Sequence, residues 1–171
     1  MTNQEVITAI RSKESPRDIL AADFKSLRGP LPIRGGWGYT REDACIIDKE
    51  MHLAESKAPF DVVSIERVFV EKRIYEELII FRGREDRYRD IKWKLLQQSL
   101  ISKDERKFDL LLIEVSAIHD REVARILKEE RLSAFGGPPA SQLSEQQERE
   151  LAAARIIYQR EYWFDITSNF S

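Results

Sequence analysis

The segment Phe108–Ile118, Phe-Asp-Leu-Leu-Leu-Ile-Glu-Val-Ser-Ala-Ile, is the most apolar stretch of the chain, and it carries Glu114 in its interior. A run apolar at nearly every position fits a strand covered on both faces, where an ionised carboxylate is costly unless a partner offsets its lost hydration. Upstream, Ile91, Trp93 and Leu95 alternate with Lys92 and Lys94, the period-two pattern of a half-buried strand continuing to about Ile101. Only the polar connection Lys103-Asp104-Glu105-Arg106 separates the two runs, so the spacing predicts a β-hairpin. With a register symmetric about that loop, Ile101 faces Phe108, Leu95 faces Glu114 and Trp93 faces Ser116. Glu114 then sits beside Trp93, Leu95 and Gln97.

The remaining text alternates helical and extended patterns. Ser15-Pro16-Arg17-Asp18 reads as a capped helix start, with Leu20, Phe24 and Leu27 on one face and Gly29 as the end. A shorter helix is expected over Gln4–Arg11. Arg28–Thr40 holds four of the seven glycines and two of the six prolines and is expected to be irregular. Glu42–Asp48 reads as a short buried strand. Phe60–Phe81, rich in Val, Ile, Phe and Tyr, reads as two strands or one bent strand turning near Glu71-Lys72, although Ile74, Leu78 and Phe81 also fit one helical face. Gly83–Asp90 is a charged loop. Asp120 opens a helix to about Ala134 that stops at Gly136-Gly137, and Pro138-Pro139 makes a stiff connection. Ser144-Glu145-Gln146-Gln147 is a capping box for a helix burying Leu151, Ala154, Ile157 and Tyr158, and Gln159–Thr167 closes the chain as a strand. The expectation is one α+β domain over residues 1–171, mainly an antiparallel meander with helices packed on one face.

Composition narrows the class without naming a function. A chain that is 42% hydrophobic and 34% charged is an ordinary globular sequence, and its net charge of −2 gives no global pull towards nucleic acid or anionic lipid. The longest aliphatic run, Leu110–Ile113, is far too short to span a bilayer, and the polar start Met-Thr-Asn-Gln-Glu lacks a secretory pattern, so a cytoplasmic protein without a membrane partner is expected. Cys45 is the only cysteine and reads as a small buried residue.

Several residues are candidates for chemistry or contact. Glu114, pressed against Trp93 and Leu95, would have the raised pKa that suits a general acid or base, with His119 at the strand's end as a companion. The alternation puts His119 on the opposite side, and a hydrogen bond to Gln97 or pairing with an arginine from a neighbouring strand would make Glu114 merely structural. In Arg34-Gly35-Gly36-Trp37-Gly38-Tyr39 there is no phosphate-loop ending. Arg34, Trp37, Tyr39 and Arg41 instead suit a contact surface, against the alternative of a tight structural turn with buried aromatics. Arg84, Arg87, Arg89, Lys92 and Lys94, interleaved with Tyr88 and Trp93, resemble a short nucleic-acid tract diluted by Glu85, Asp86 and Asp90. Asp61, Glu71 and Arg73 imitate a nuclease spacing with arginine in place of lysine, and His52 and His119 form no zinc arrangement. No metal or cofactor is expected. The leading expectation is a protein-interaction domain acting through the Arg28–Arg41 loop. The alternatives are a hydrolase-type enzyme using a buried glutamate and a weak nucleic-acid binder.

Overall fold

The computed structural model describes residues 13–27, 29–133 and 143–171, and of 128–133 the backbone alone. The helix expected at Gln4–Arg11, the Gly136-Gly137 stop, the Pro138-Pro139 connection and Arg28 lie outside the described residues. Five helices, α1 (Pro16–Asp23), α2 (Lys49–Glu55), α3 (Val62–Tyr75), α4 (Asp120–Ser133) and α5 (Glu145–Ala154), accompany five strands, β1 (Ile33–Gly35), β2 (Cys45–Ile47), β3 (Tyr88–Lys103), β4 (Arg106–His119) and β5 (Ile156–Asp165). This is an α+β fold.

The strands form one sheet in the order β1-β2-β5-β4-β3. It is not the expected meander. The C-terminal strand β5 inserts between β4 and β2, antiparallel to the first and parallel to the second, with Cys45 opposite Phe164. Tyr162 and Phe164 of β5 are completely buried, which favours a central place in the sheet over an edge. Helix α5 is also shorter than its apolar pattern suggests: Ile157 and Tyr158, expected on that helix, already belong to β5.

The largest correction concerns Phe60–Phe81, which is helical. Asp61 caps α3 by accepting the Ser64 amide at 3.3 Å, and Glu76–Ile80 extend the helix by one π-helical turn. Ile65, Phe69, Val70, Ile74 and Leu78 fall on one side and enter the core with Leu111, Ile113, Val115, Tyr162 and Phe164. Phe69 meets Tyr162 and Phe164 edge-on, with ring centroids 6.4 and 5.4 Å apart. Glu66, Arg73, Glu76 and Glu77 are buried on this helical segment too. Polar residues on the core side erase the amphipathic pattern, and the β-branched residues between them imitate strands.

The predicted hairpin is present. Lys103 pairs with Arg106 across Asp104 and Glu105, both at positive φ (51° and 63°), as a two-residue turn of the primed type requires. The symmetric register holds from that turn to Gln97↔Leu112, and then a bulge shifts it by one residue. Leu95 consequently faces Ile113, Lys94 faces Glu114 and Trp93 faces Val115. A second shift between Arg89 and Lys92 leaves Tyr88 opposite His119.

Candidate functional site

The bulge decides what meets α3. Ile113 and Val115 belong to the core, so their cross-strand partners Leu95 and Trp93 point to the α3 side. Opposite them α3 presents Val63, Glu66, Arg67 and Val70, the i, i+3, i+4, i+7 positions of one helical face. Between helix and hairpin lies a cleft of about 250 Å³, walled also by Gln98, Leu111 and Ile113.

Glu66 is the buried acid of this wall, 1% exposed, and Arg67, Lys94 and Gln98 also line the cleft. Its carboxyl lies beside that of Asp109 on β4. Gln98 Nε2 donates to Asp109 Oδ2 from the neighbouring strand. Burial raises the pKa of Glu66 to about 9, helped by the Asp109 charge, by hydrogen bonding to Asp109 and by Asp61. Glu66 Oε1 is buried and receives no hydrogen bond from an N–H or hydroxyl group. Cys45 lies within reach of the Glu66 charge, and burial pushes its thiol far above the range of a reactive cysteine.

A second polar cluster lies under the 33–41 loop. Arg73, fully buried, stacks its guanidinium 3.9 Å from the centroid of the Trp37 ring and bonds Glu76 and the Tyr39 hydroxyl. Tyr39 in turn donates to Glu77, which also accepts from Arg160 at 3.3 Å. Burial raises Glu76 to about 7 against the opposing pull of Arg73. Tyr39 is raised by burial first and by Glu77 second. The cluster fastens the glycine-rich loop to α3 and β5 by charge-assisted bonds.

This packing places the residues expected to form a contact surface. Trp37 is 4% exposed and Tyr39 is half-buried, so both rings serve the interior. Gly36 explains the tight path of the loop: a Cβ there would fall 2.0 Å from Asp43 Oδ1, and Asp43 also accepts the Trp37 amide at 3.3 Å. Arg34 is exposed and holds Asp48 at 3.0 Å, while Arg41 pairs with Glu42.

Glu114 does not join Trp93 and Leu95. It lies on the opposite face of the sheet, 28% exposed, with Lys94 Nζ 3.1 Å from its Oε1. His119 ends the same strand away from it. Its Nε2 faces Asp86 Oδ1 at 3.0 Å, its Nδ1 accepts the Arg121 amide at 3.1 Å, and its ring is edge-on to Tyr88. Of the basic tract, Arg89 pairs with Asp120 and Lys94 with Glu114, while Arg84, Arg87 and Lys92 are exposed. Asp61 caps the start of α3 and Arg73 lies buried in its last turn, so the nuclease-like spacing does not bring the two together. Among the described residues no cluster of His, Cys, Asp and Glu suits a metal ion.

The sequence reading missed Glu66, Asp109 and Gln98. One signal was available: Asp109 shares the parity of Leu111, Ile113 and Val115, so strand alternation alone puts a carboxylate on the core face. The helix bearing Glu66 gave no such signal. No family model, no curated protein and no solved structure matches this chain.

Proposed function

We propose that this chain is a binding protein whose recognition site is the cleft between α3 and the β3–β4 hairpin. The observation that supports this reading is the buried Glu66 carboxyl, backed by Asp109, in the wall of a cleft that combines Val63, Val70, Trp93 and Leu95 with Arg67, Lys94 and Gln98. Binding sites combine apolar walls with a few placed polar groups, and a buried acid pair adds instability that a purely structural interior has no need of. The loop at 33–41 acts in this reading as a brace for α3. Arg34 and Arg41 stay outside the cleft.

A fragment screen by ligand-observed NMR tests the proposal, with Val70→Trp as the control that fills the cleft. Ligands selected on the native chain should shift the Trp93 indole resonance and lose binding in Val70→Trp. Ligands that bind both proteins equally would remove the cleft from consideration.

The raised pKa of Glu66 in the cleft wall favours a second reading, acid–base catalysis by Glu66, because a carboxyl that holds its proton near neutral pH suits a general acid. Under that reading Glu66→Gln retains ligand affinity and loses turnover of a ligand found in the screen. Equal turnover by the two proteins would exclude it.

A further inference from the structure

We propose that His119 is a pH-sensitive latch on helix α4: the neutral ring caps the helix, and protonation releases the helix's first turn. The inference stands apart from the cleft and from the binding reading.

Two hydrogen bonds of opposite sense fix the state of this ring. Its Nδ1 accepts the amide of Arg121 at 3.1 Å, so that nitrogen carries no proton. Its Nε2 lies 3.0 Å from Asp86 Oδ1. The bond from His119 is the main cause that holds the Asp86 carboxyl below its ordinary range, and an ionised carboxylate only accepts, so the proton of the neutral ring sits on Nε2. His119 immediately precedes α4, and a side chain at that place that accepts the amide of the second helical residue is the helix cap. Asp120 is instead the first helical residue, with its carboxylate paired to Arg89. The cap is therefore an imidazole nitrogen, an acceptor that one added proton turns into a donor.

Protonation acts on the two bonds unequally. A proton on Nδ1 meets the Arg121 N–H head-on and sets positive charge at the positive end of the helix dipole. The bond to Asp86 gains an ion pair. Asp86 is itself anchored by Arg82 Nη1 at 3.0 Å, and Arg82 Nε donates to the Glu77 carbonyl in the π-helical turn at 2.6 Å. The ring is thus held from the Arg82–Asp86 side, and the first turn of α4 is what gives. The Asp120 amide, bonded to the Arg87 carbonyl at 2.8 Å, stays in place, so release begins at Arg121. The other ionisable groups around the contact are engaged or exposed. On β3, Tyr88 presents its ring edge-on with centroids 5.0 Å apart and Arg89 is taken by Asp120. On α4, Arg121 is exposed and Glu122 pairs with Arg125. Arg155, which follows α5, is taken by Asp90 and Ser116.

Nitrogen-15 NMR and amide hydrogen exchange on the full chain, from about pH 8 down to about pH 5, test the latch. At the alkaline end the ring shifts should identify the tautomer with its proton on Nε2. As the ring titrates, the protection of the Arg121 amide, corrected for the intrinsic exchange rate, should fall about fivefold, the equivalent of the roughly 1 kcal/mol that a helix cap contributes. His119→Asn, whose side-chain carbonyl caps without titrating, should keep that protection constant over the same range, and His119→Ala should show the low value throughout. A neutral ring with its proton on Nδ1, an Arg121 protection that does not follow the ring's titration, or the same acid loss in His119→Asn would overturn the proposal. A ring that stays neutral down to the pH at which the chain unfolds would overturn it as well.

Discussion

Replacing Glu66 with glutamine should change how stability depends on pH, and the size of the change follows from the environment of that side chain. In the folded protein Glu66 holds its proton up to about pH 9, whereas the unfolded chain releases it near 4.5. The folded state therefore binds more protons between those limits. The group's contribution is fully present below pH 4.5 and is lost as pH rises through the folded value, by roughly 1.4 kcal/mol per pH unit. At pH 7 the loss is on the order of 3 kcal/mol, a large share of the total stability of a domain this size. Glutamine has nearly the same shape, does not titrate, and offers an amide hydrogen to Asp109. Urea unfolding of both proteins across a pH series should give a stability difference that moves in favour of Glu66→Gln with that slope. Glu76, raised to about 7, adds a slope of its own to each protein and cancels in the difference. A difference that stays constant from pH 5 to pH 8 would show that Glu66 is an ordinary solvated carboxylate, and the reasoning would fail.

The buried cation cluster makes the opposite demand: Arg73→Met should destabilise by about 3–5 kcal/mol in urea unfolding, because it leaves Glu76 and Glu77 without the guanidinium, and adding Glu76→Gln should recover part of the loss. Lys94→Ala and Glu114→Gln should each cost under about 1 kcal/mol in urea unfolding, since the pair faces solvent and its lysine is 66% exposed. Cys45, fully buried with its thiol raised, should resist a thiol-reactive disulfide reagent in the native state and react at the rate of unfolding, as stopped denaturant assays would show.

Local signals in the sequence were readable wherever a short-range rule governs the structure. The Ser15 cap, the Ser144 capping box and the β3–β4 hairpin all appear because a serine side chain or a two-residue turn acts over a few positions. What escaped was set by tertiary packing. Helix α3 buries Glu66 and Arg73 on its core side, so its periodicity was hidden, and the run of Val, Ile and Phe spoke for strands. One bulged residue near Leu96 moved the acidic residue beside Trp93 from Glu114 to Glu66: the expected environment exists, occupied by a glutamate from another element. The glycine loop shows the same limit. Its aromatics fitted both a contact surface and a tight turn with buried rings, and what the sequence does not show is Arg73, 34 positions beyond Tyr39, against which they pack.

The account turns on the ionisation of one side chain. Carboxyl-carbon NMR, assigned by comparison with Glu66→Gln, should find Glu66 still protonated at neutral pH and titrating towards about 9. A Glu66 resonance that titrates in the ordinary carboxylate range would contradict its burial in the cleft wall and with it the proposed site.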